Sequence, residues 1–153
     1  MTLMMSLKQA TQWLAGAHLV GDSGLQPLRV HTDTRTIEPG DLFVALKGER
    51  YDANDFLHEA QKRGALAVIC HADLPAEKYP SGFARIEVAN TTLALQQLAM
   101  GWRKQFVLPL IAITGSNGKT TVTQMVASIL DAYCPAARHS QPVAISITTL
   151  EFH

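Results

Sequence analysis

The feature that most constrains this chain is a short glycine-containing segment that lies between two apolar segments of different periodicity. The segment is residues 114–121, with the sequence TGSNGKTT. Residues 109–113 before it form a strand-like apolar run, and in residues 122–133 after it the apolar side chains recur at helical spacing. Strand, glycine loop, lysine, hydroxyl and helix is the order that a phosphate-binding loop requires.

The residue types in this segment suit the binding of a nucleotide. Gly115 and Gly118 allow backbone N–H groups to turn toward an anion, and the start of the following helix adds unpaired N–H groups. Lys119 is the predicted catalytic residue, reaching the β- and γ-phosphates, and the Thr120 hydroxyl is the predicted ligand of Mg²⁺. The alternative is a glycine turn that happens to carry a lysine. The predicted nucleotide-binding residues are Gly115, Ser116, Asn117, Gly118, Lys119, Thr120 and Thr121.

The composition predicts a packed globular protein and excludes several classes of function. Of the 153 residues, 47% are hydrophobic and 17% are charged, which favours a folded core over disorder. Thirteen basic residues balance thirteen acidic ones, so no charge excess indicates a nucleic-acid or anionic membrane partner. No apolar run has the length of a membrane span, and the N-terminus does not resemble a signal peptide. The two cysteines and six scattered histidines predict neither a disulfide framework nor a metal site made by protein ligands alone. These features predict a cytoplasmic protein.

Upstream of the glycine loop, predicted strands alternate with predicted helices, which indicates an α/β fold. We expect a first helix capped by Ser6 and ending near Gly16, and later helices over residues 54–63 and 90–105. The predicted strands are residues 28–32, 42–46, 65–70 and 85–88. A boundary near Val107 then separates a small α/β domain, residues 1–106, from the first strand, loop and helix of a second domain, residues 107–153.

Two further motifs lie in the first domain. One is the triplet Asp33-Thr34-Arg35, and the other is residues 39–52, PGDLFVALKGERYD, followed by residues 54–56, NDF. Together with residues 114–121, and in the same order along the chain, they resemble the Mur ligase family, whose members join amino acids or dipeptides to UDP-N-acetylmuramoyl peptides in peptidoglycan synthesis. The resemblance extends over about residues 6–133. It is strongest to the branch that adds D-alanyl-D-alanine, and the branch that adds diaminopimelate or lysine is the nearest alternative.

The resemblance implies a fold and an activity. Residues 1–106 would bind the UDP-linked substrate, and residues 107–153 would be the truncated start of a P-loop ATP-binding domain. The implied enzyme is an ATP-dependent ligase of cell wall synthesis, with ATP and Mg²⁺ as cofactors. Its substrates would be UDP-N-acetylmuramoyl-tripeptide and D-alanyl-D-alanine, joined through an acyl phosphate. Family members also use a glutamate, a histidine and a carbamylated lysine from later sequence, and a third domain, so this chain alone is expected to be inactive. A non-catalytic UDP-substrate-binding module is the alternative.

The implied substrate-binding residues carry groups that suit a UDP-linked ligand. Thr34 offers a hydroxyl and Arg35 a forked guanidinium, which match uracil and a diphosphate. A loop leaves the end of the predicted strand 42–46, where open α/β sheets place their ligands. The simpler interpretation, which the residues alone favour, is that Asp33 and Arg35 pair at a turn and that the loop only connects two elements. The residues implied for this site are Thr34, Arg35, Gly48, Glu49, Arg50 and Tyr51.

The last twenty residues depart from the family pattern after Tyr133. The run from Val143 to His153 can be assigned codons that, read one base out of frame, encode GNFNNDIGVP, a sequence typical of the D-alanyl-D-alanine-adding branch at this point. We therefore interpret residues 135–153 as a frameshifted tail, with a divergent tail as the alternative. Such a tail is expected either to pack poorly or to add a strand beside the predicted strand that precedes the glycine loop.

Overall fold

The computed structural model describes residues 4–49, 51–107, 111–115, 117–133 and 145–147. The chain divides into two compact units, Met1–Gln105 and Phe106–His153. Among the helices in the described part of the chain, none is both long enough and apolar enough to cross a membrane.

The first unit is a five-stranded sheet with helices, which confirms the predicted α/β class. The strand order is β1-β5-β4-β3-β2; neighbouring strands are parallel from β2 to β5, and β1 runs antiparallel to β5 at one edge. The elements are α1 (Leu7–Trp13), β1 (His18–Val20), β2 (Arg29–His31), β3 (Asp41–Val44), α2 (Leu57–Lys62), β4 (Ala67–His71), β5 (Ala84–Val88) and α3 (Thr91–Arg103).

The ends of the helices follow from local sequence chemistry. Ser6 caps α1 as predicted, and the Gln9 side chain completes a capping box by accepting a hydrogen bond from the Ser6 backbone N–H at 3.0 Å. The predicted helix over residues 54–63 is instead a 3-10 turn, Ala53–Phe56, followed by α2. Gly64 then adopts a φ of +93°, where its missing side chain lets the chain turn back into the sheet.

The core lies on both faces of the sheet, because the two central strands are buried on both sides. On one face α1 and α3 contribute Leu7, Ala10, Ala94 and Leu98, which pack with the inward residues of the strands. On the other face α2 contributes Leu57 and Ala60. Cys70 is a buried member of this second cluster, and burial raises the pKa of its thiol to about 12.

The α1–α3 contact depends on a glycine. A Cβ atom placed on Gly101 would lie 2.2 Å from Cδ2 of the Trp13 ring, a distance at which one of the helices must shift. We expect Gly101→Ala to lower the free energy of unfolding by about 2 kcal/mol, measured by urea denaturation of the full chain. The neighbouring Met100→Ala, at a position that is 60% exposed, is the matched control and should change it little. Equal stability of the two variants would contradict this packing argument.

The second unit contains the glycine loop. Its elements are β6 (Ile111–Ile113), α4 (Lys119–Tyr133) and β7 (Ile145–Ile147), and β6 pairs in parallel with β7. α4 contains the segment of predicted helical spacing, residues 122–133, and begins three residues earlier, at Lys119. β7 lies inside the predicted tail. Its pairing with β6, the strand before the glycine loop, is one of the two arrangements expected for that tail. The other tail residues, and residues 109 and 110 of the predicted strand, lie outside the described residues.

Candidate functional site

The first unit carries a cavity of about 550 Å³ at the carboxyl ends of β2 and β3. One wall is the segment that follows β2, and the other is the loop that follows β3. This is the edge of a parallel sheet at which open α/β proteins bind ligands. The structure therefore brings Thr34 and Arg35 of one sequence motif together with Tyr51 of the other. The described residues that line the cavity are Thr32, Asp33, Thr34, Arg35, Tyr51 and Ala53.

Asp33 and Arg35 form a close ion pair at the cavity. The guanidinium Nη2 lies 2.6 Å from Asp33 Oδ2 and its Nε lies 3.0 Å from Oδ1, while the Arg35 backbone N–H also donates to Oδ1 at 3.0 Å. The side-chain hydrogen bonds, and then the backbone one, lower the pKa of Asp33 to about 2. The ion pair at a turn, which was the simpler interpretation of this motif, is therefore present. The Arg35 side chain is nevertheless 83% exposed and lines the cavity.

The turn that carries Arg35 is held from behind by two other arginines. Arg29 Nη2 donates to the carbonyl oxygen of Thr36 at 3.0 Å, and Arg63 Nη1 donates to the carbonyl oxygen of Arg35 at 3.0 Å. Arg29 also grips the buried carboxylate of Asp41 through Nε at 2.7 Å and Nη2 at 2.9 Å. The sequence motifs did not predict these hydrogen bonds from Arg29 and Arg63. The sequence feature that could have indicated the Arg29 pair is a charged residue at the first position of each of two neighbouring strands. Arg29 begins β2 and lies opposite Asp41, which begins β3.

The second wall of the cavity is a closed loop rather than an open connection. The Gly48 N–H donates to the Tyr51 carbonyl oxygen at 2.8 Å, and Lys47 and Asp52 pair across its base. The Tyr51 ring stacks on Phe56 with centroids 5.0 Å apart and remains 56% exposed, so it presents a flat apolar surface beside the cavity. Glu49 is exposed, and the predicted site residue Arg50 lies outside the described residues.

Thr34 is placed differently from the other residues predicted for this site. It lines the cavity but is only 6% exposed, whereas Arg35 and Tyr51 are exposed. This arrangement suits a ligand with a flat polar ring and a linked anionic group.

The glycine loop of the second unit has two residues in backbone conformations that favour glycine. Gly115 has a φ of +146° and Gly118 a φ of +74°, conformations that side-chain-bearing residues rarely adopt. Lys119 is the first residue of α4, and its Nζ donates back across the loop to the Gly115 carbonyl oxygen. Asn117, Thr120 and Thr121 are exposed, whereas Ser116 lies outside the described residues.

This geometry fits a nucleotide better than it fits an isolated metal ion. The loop closes on the amino terminus of a fifteen-residue helix, where N–H groups and the helix dipole favour anions. Within the described ranges, no group of three or more His, Cys, Asp and Glu side chains could hold a metal. A Mg²⁺ ion here would therefore depend on the Thr120 hydroxyl together with oxygens of the phosphates themselves.

Two family models match the chain, one in each unit. The model described as Mur ligase family, catalytic domain, matches residues 29–103, and the model described as Mur ligase middle domain matches residues 113–149. The second match continues past Tyr133, the residue at which the sequence motifs placed the end of the resemblance, so that limit was wrong. No comparison tests the frameshift hypothesis, which stays a prediction.

Curated relatives agree with these matches. The chain is 38% identical over 124 residues to a UDP-N-acetylmuramoyl-tripeptide--D-alanyl-D-alanine ligase of Synechocystis, an alignment that covers 78% of this chain and 27% of the relative. It is 39% identical over 111 residues to a UDP-N-acetylmuramoyl-L-alanyl-D-glutamate--2,6-diaminopimelate ligase of Geobacter sulfurreducens, with 71% of this chain and 21% of the relative covered. The chain thus spans about a quarter of the length of such relatives.

A solved structure shows the same fold. The crystal structure of MurF from Acinetobacter baumannii superposes with a TM-score of 0.78 at 30% sequence identity, covering 97% of this chain and 35% of that one. The chain belongs to the Mur ligase family.

Proposed function

We propose that this chain is the substrate-binding and phosphate-binding part of an ATP-dependent ligase that adds D-alanyl-D-alanine to UDP-N-acetylmuramoyl-tripeptide. The observation that carries the proposal is the combination, in one Mur ligase chain, of two features. One is a cavity lined by Thr34, Arg35 and Tyr51, and the other is a glycine loop that places Lys119 at the start of α4. Residues 1–106 are proposed as the substrate domain and residues 107–153 as the start of the ATP-binding domain.

Each unit has a separate role in this proposal. In the cavity, the Arg35 guanidinium binds the diphosphate, Thr34 contacts the uracil, and the Tyr51 ring covers the ligand. In the loop, backbone N–H groups and Lys119 hold and neutralise the phosphates of ATP, and Thr120 ligates Mg²⁺. Bound ATP supplies the phosphoryl group that activates the substrate carboxylate for attack by the amine of D-alanyl-D-alanine. The residues of this chain contribute positioning and charge neutralisation to that step.

The test of the function uses a ligase of the relatives' length that carries residues 1–133 of this chain. We expect phosphate release from ATP and Mg²⁺ when UDP-N-acetylmuramoyl-tripeptide and D-alanyl-D-alanine are both present. Release with UDP-N-acetylmuramoyl-dipeptide and diaminopimelate instead would favour the second candidate, a diaminopimelate-adding ligase, which the relative from Geobacter supports. The isolated chain of 153 residues is expected to release none, and measurable turnover by it would contradict this division of roles.

Binding of the UDP-linked substrate should depend on Arg35. We expect Arg35→Ala to weaken binding of UDP-N-acetylmuramoyl-tripeptide to the 153-residue chain by about tenfold, because charge-assisted hydrogen bonds to the diphosphate are lost. Isothermal titration calorimetry measures this directly.

The charge-matched control is Lys8→Ala, which removes one positive charge from an exposed position of α1 that is not part of the cavity lining. It should leave the dissociation constant unchanged. If both variants bind equally well, the role of Arg35 in the cavity is refuted. If the unmodified chain binds no UDP-linked ligand, the proposed function of the first unit fails.

A further inference from the structure

A buried amide lies directly behind the wall of the cavity that carries Tyr51. Asn54 belongs to the 3-10 turn Ala53–Phe56, next in sequence to the cavity residue Ala53, and is only 1% exposed. Burying an amide is unfavourable unless its polar atoms are hydrogen-bonded. The hydrogen-bond partners of the Asn54 side chain therefore indicate which segments of the chain the buried amide holds together.

The Asn54 side chain bonds to three different segments. Its Nδ2 donates to the Ala45 carbonyl oxygen at 3.3 Å and to Asp52 Oδ1 at 2.6 Å, and its Oδ1 accepts from the His71 backbone N–H at 3.1 Å. Two acceptors face one end of the amide and one donor faces the other. The chemistry of the partners therefore determines the orientation of the amide.

These three bonds connect the loop to the sheet. Ala45 directly follows β3 and His71 is the last residue of β4, so two of the bonds end at the carboxyl edge of the sheet. The third ends on Asp52, the residue beside Tyr51, which also accepts from the Asn54 backbone N–H at 2.9 Å. Asp52 in turn pairs with Lys47 at the base of the loop. The amide thus links both strand ends to the segment that carries the exposed Tyr51 ring.

The protonation state of Asp52 agrees with these hydrogen bonds from Asn54. Burial on its own would raise the pKa of Asp52, but the hydrogen bonds from the Asn54 side chain and backbone, together with the charge of Lys47, outweigh burial and lower it. Asp52 is therefore held as a carboxylate that accepts from Asn54. Without the Asn54 amide, the turn would lose its side-chain hydrogen bond to β4. Asp52 would also lose one of the two hydrogen bonds that it accepts from Asn54.

We propose that Asn54 is a positioning residue for the UDP-linked substrate: it fixes the Tyr51 wall of the cavity relative to the ends of β3 and β4 and thereby sets the affinity. This inference rests on the proposed function of the first unit. Asn54 is absent from the residues that line the cavity, so it acts through Tyr51 and Ala53 rather than by touching the ligand.

The experiment compares affinity with stability in the 153-residue chain. For Asn54→Ala we expect binding of UDP-N-acetylmuramoyl-tripeptide, measured by calorimetry, to weaken about tenfold, since a small misplacement of a binding wall is costly. The matched control is Gly101→Ala, which disturbs the α1–α3 contact and lies outside the cavity lining. It should lower the melting temperature while leaving the dissociation constant within about twofold of the unmodified chain.

A second variant covers the case in which Asn54→Ala does not fold. Asn54→Asp keeps the size of the side chain and the acceptor for the His71 N–H, but it replaces both donated hydrogen bonds with a carboxylate facing Asp52. It should also bind the substrate about tenfold more weakly than the unmodified chain.

The outcomes separate the two hypotheses. An unmodified chain that does not bind the substrate overturns the proposed function, and the role of Asn54 with it. An unmodified chain that binds, together with Asn54 variants of unchanged dissociation constant, overturns the positioning role alone and leaves Asn54 as a stabilising residue. Equal losses of affinity in Asn54→Ala and Gly101→Ala also overturn it, because affinity would then follow global stability.

Discussion

Replacing Lys119 with alanine is expected to reduce ATP turnover by at least about 100-fold in a ligase of the relatives' length that carries residues 1–133 of this chain. Lys119 is the first residue of α4, so its ammonium group and the helix N-terminus act on the same phosphates. Backbone N–H groups carry only partial charges. They cannot replace a full positive charge as negative charge develops between the nucleotide and the substrate carboxylate.

Phosphate release at saturating ATP and substrates is the measurement, and Lys62→Ala, at an exposed position on α2, is the charge-matched control. Lys119→Arg should recover little activity. Its planar, branched guanidinium has a different shape from the compact ammonium that donates across the loop to Gly115. Turnover near that of the unmodified enzyme in Lys119→Ala would refute the catalytic role assigned to this lysine.

The glycine loop and the helix that follows it could be predicted from sequence because their physical requirements are local. Glycines at two positions with positive φ, a lysine at the start of a helix and apolar periodicity on both sides are all properties of neighbouring residues. The same holds for the Ser6 cap and for the buried strands, whose apolar runs predicted β3 and β4 to within two residues at every end. Local propensity and burial agree in these elements.

The elements that were missed depend on contacts between distant residues. β1 is a three-residue edge strand with an exposed or half-buried pattern, and its pairing with β5 rather than its own composition makes it a strand. The 3-10 turn at Ala53–Phe56 was predicted as helix because its apolar spacing continues into α2. The turn is set by Asp52, whose side chain accepts from the Asn54 N–H, and by the bonds of the Asn54 amide to two strand ends.

The cavity could be predicted from the sequence only in part. The motifs containing Thr34, Arg35 and Tyr51 were recognised in the sequence, and the parallel order of β2 and β3 places them at one edge. The pairing of Asp33 with Arg35 at a turn is the interpretation that the residues alone favoured, and the structure shows it. What the sequence could not predict is that Arg29 and Arg63 hold the carbonyl groups of the same turn. A ligand diphosphate that binds Arg35 must therefore compete with, or add to, an existing ion pair.

The support beneath this turn leads to a second large expected effect, on stability. Asp41→Ala should lower the free energy of unfolding by about 3 kcal/mol, because it removes a buried carboxylate that accepts from both Arg29 and the Glu38 backbone N–H. The Glu38 N–H would lose its partner, and the turn that carries Arg35 would lose the group that orients Arg29. Urea denaturation of the full chain at pH 7 measures the change.

The pH dependence distinguishes this ion pair from simple packing. Burial alone would raise the pKa of Asp41, but hydrogen bonds from Arg29 and Glu38 outweigh burial and lower it in the folded state. A lowered folded pKa contributes stability that is fully present above the unfolded value, about 3.9, and is lost as the pH falls through the folded pKa. The difference in unfolding free energy between the unmodified chain and Asp41→Ala should therefore shrink below about pH 4.

Asp55→Ala, which breaks the exposed pair with Lys78, is the control and should change the free energy of unfolding little at pH 7 or at pH 3. A difference for Asp41→Ala that stays constant from pH 7 to pH 3 would mean that lost packing, and not the loss of the paired carboxylate, destabilises the variant.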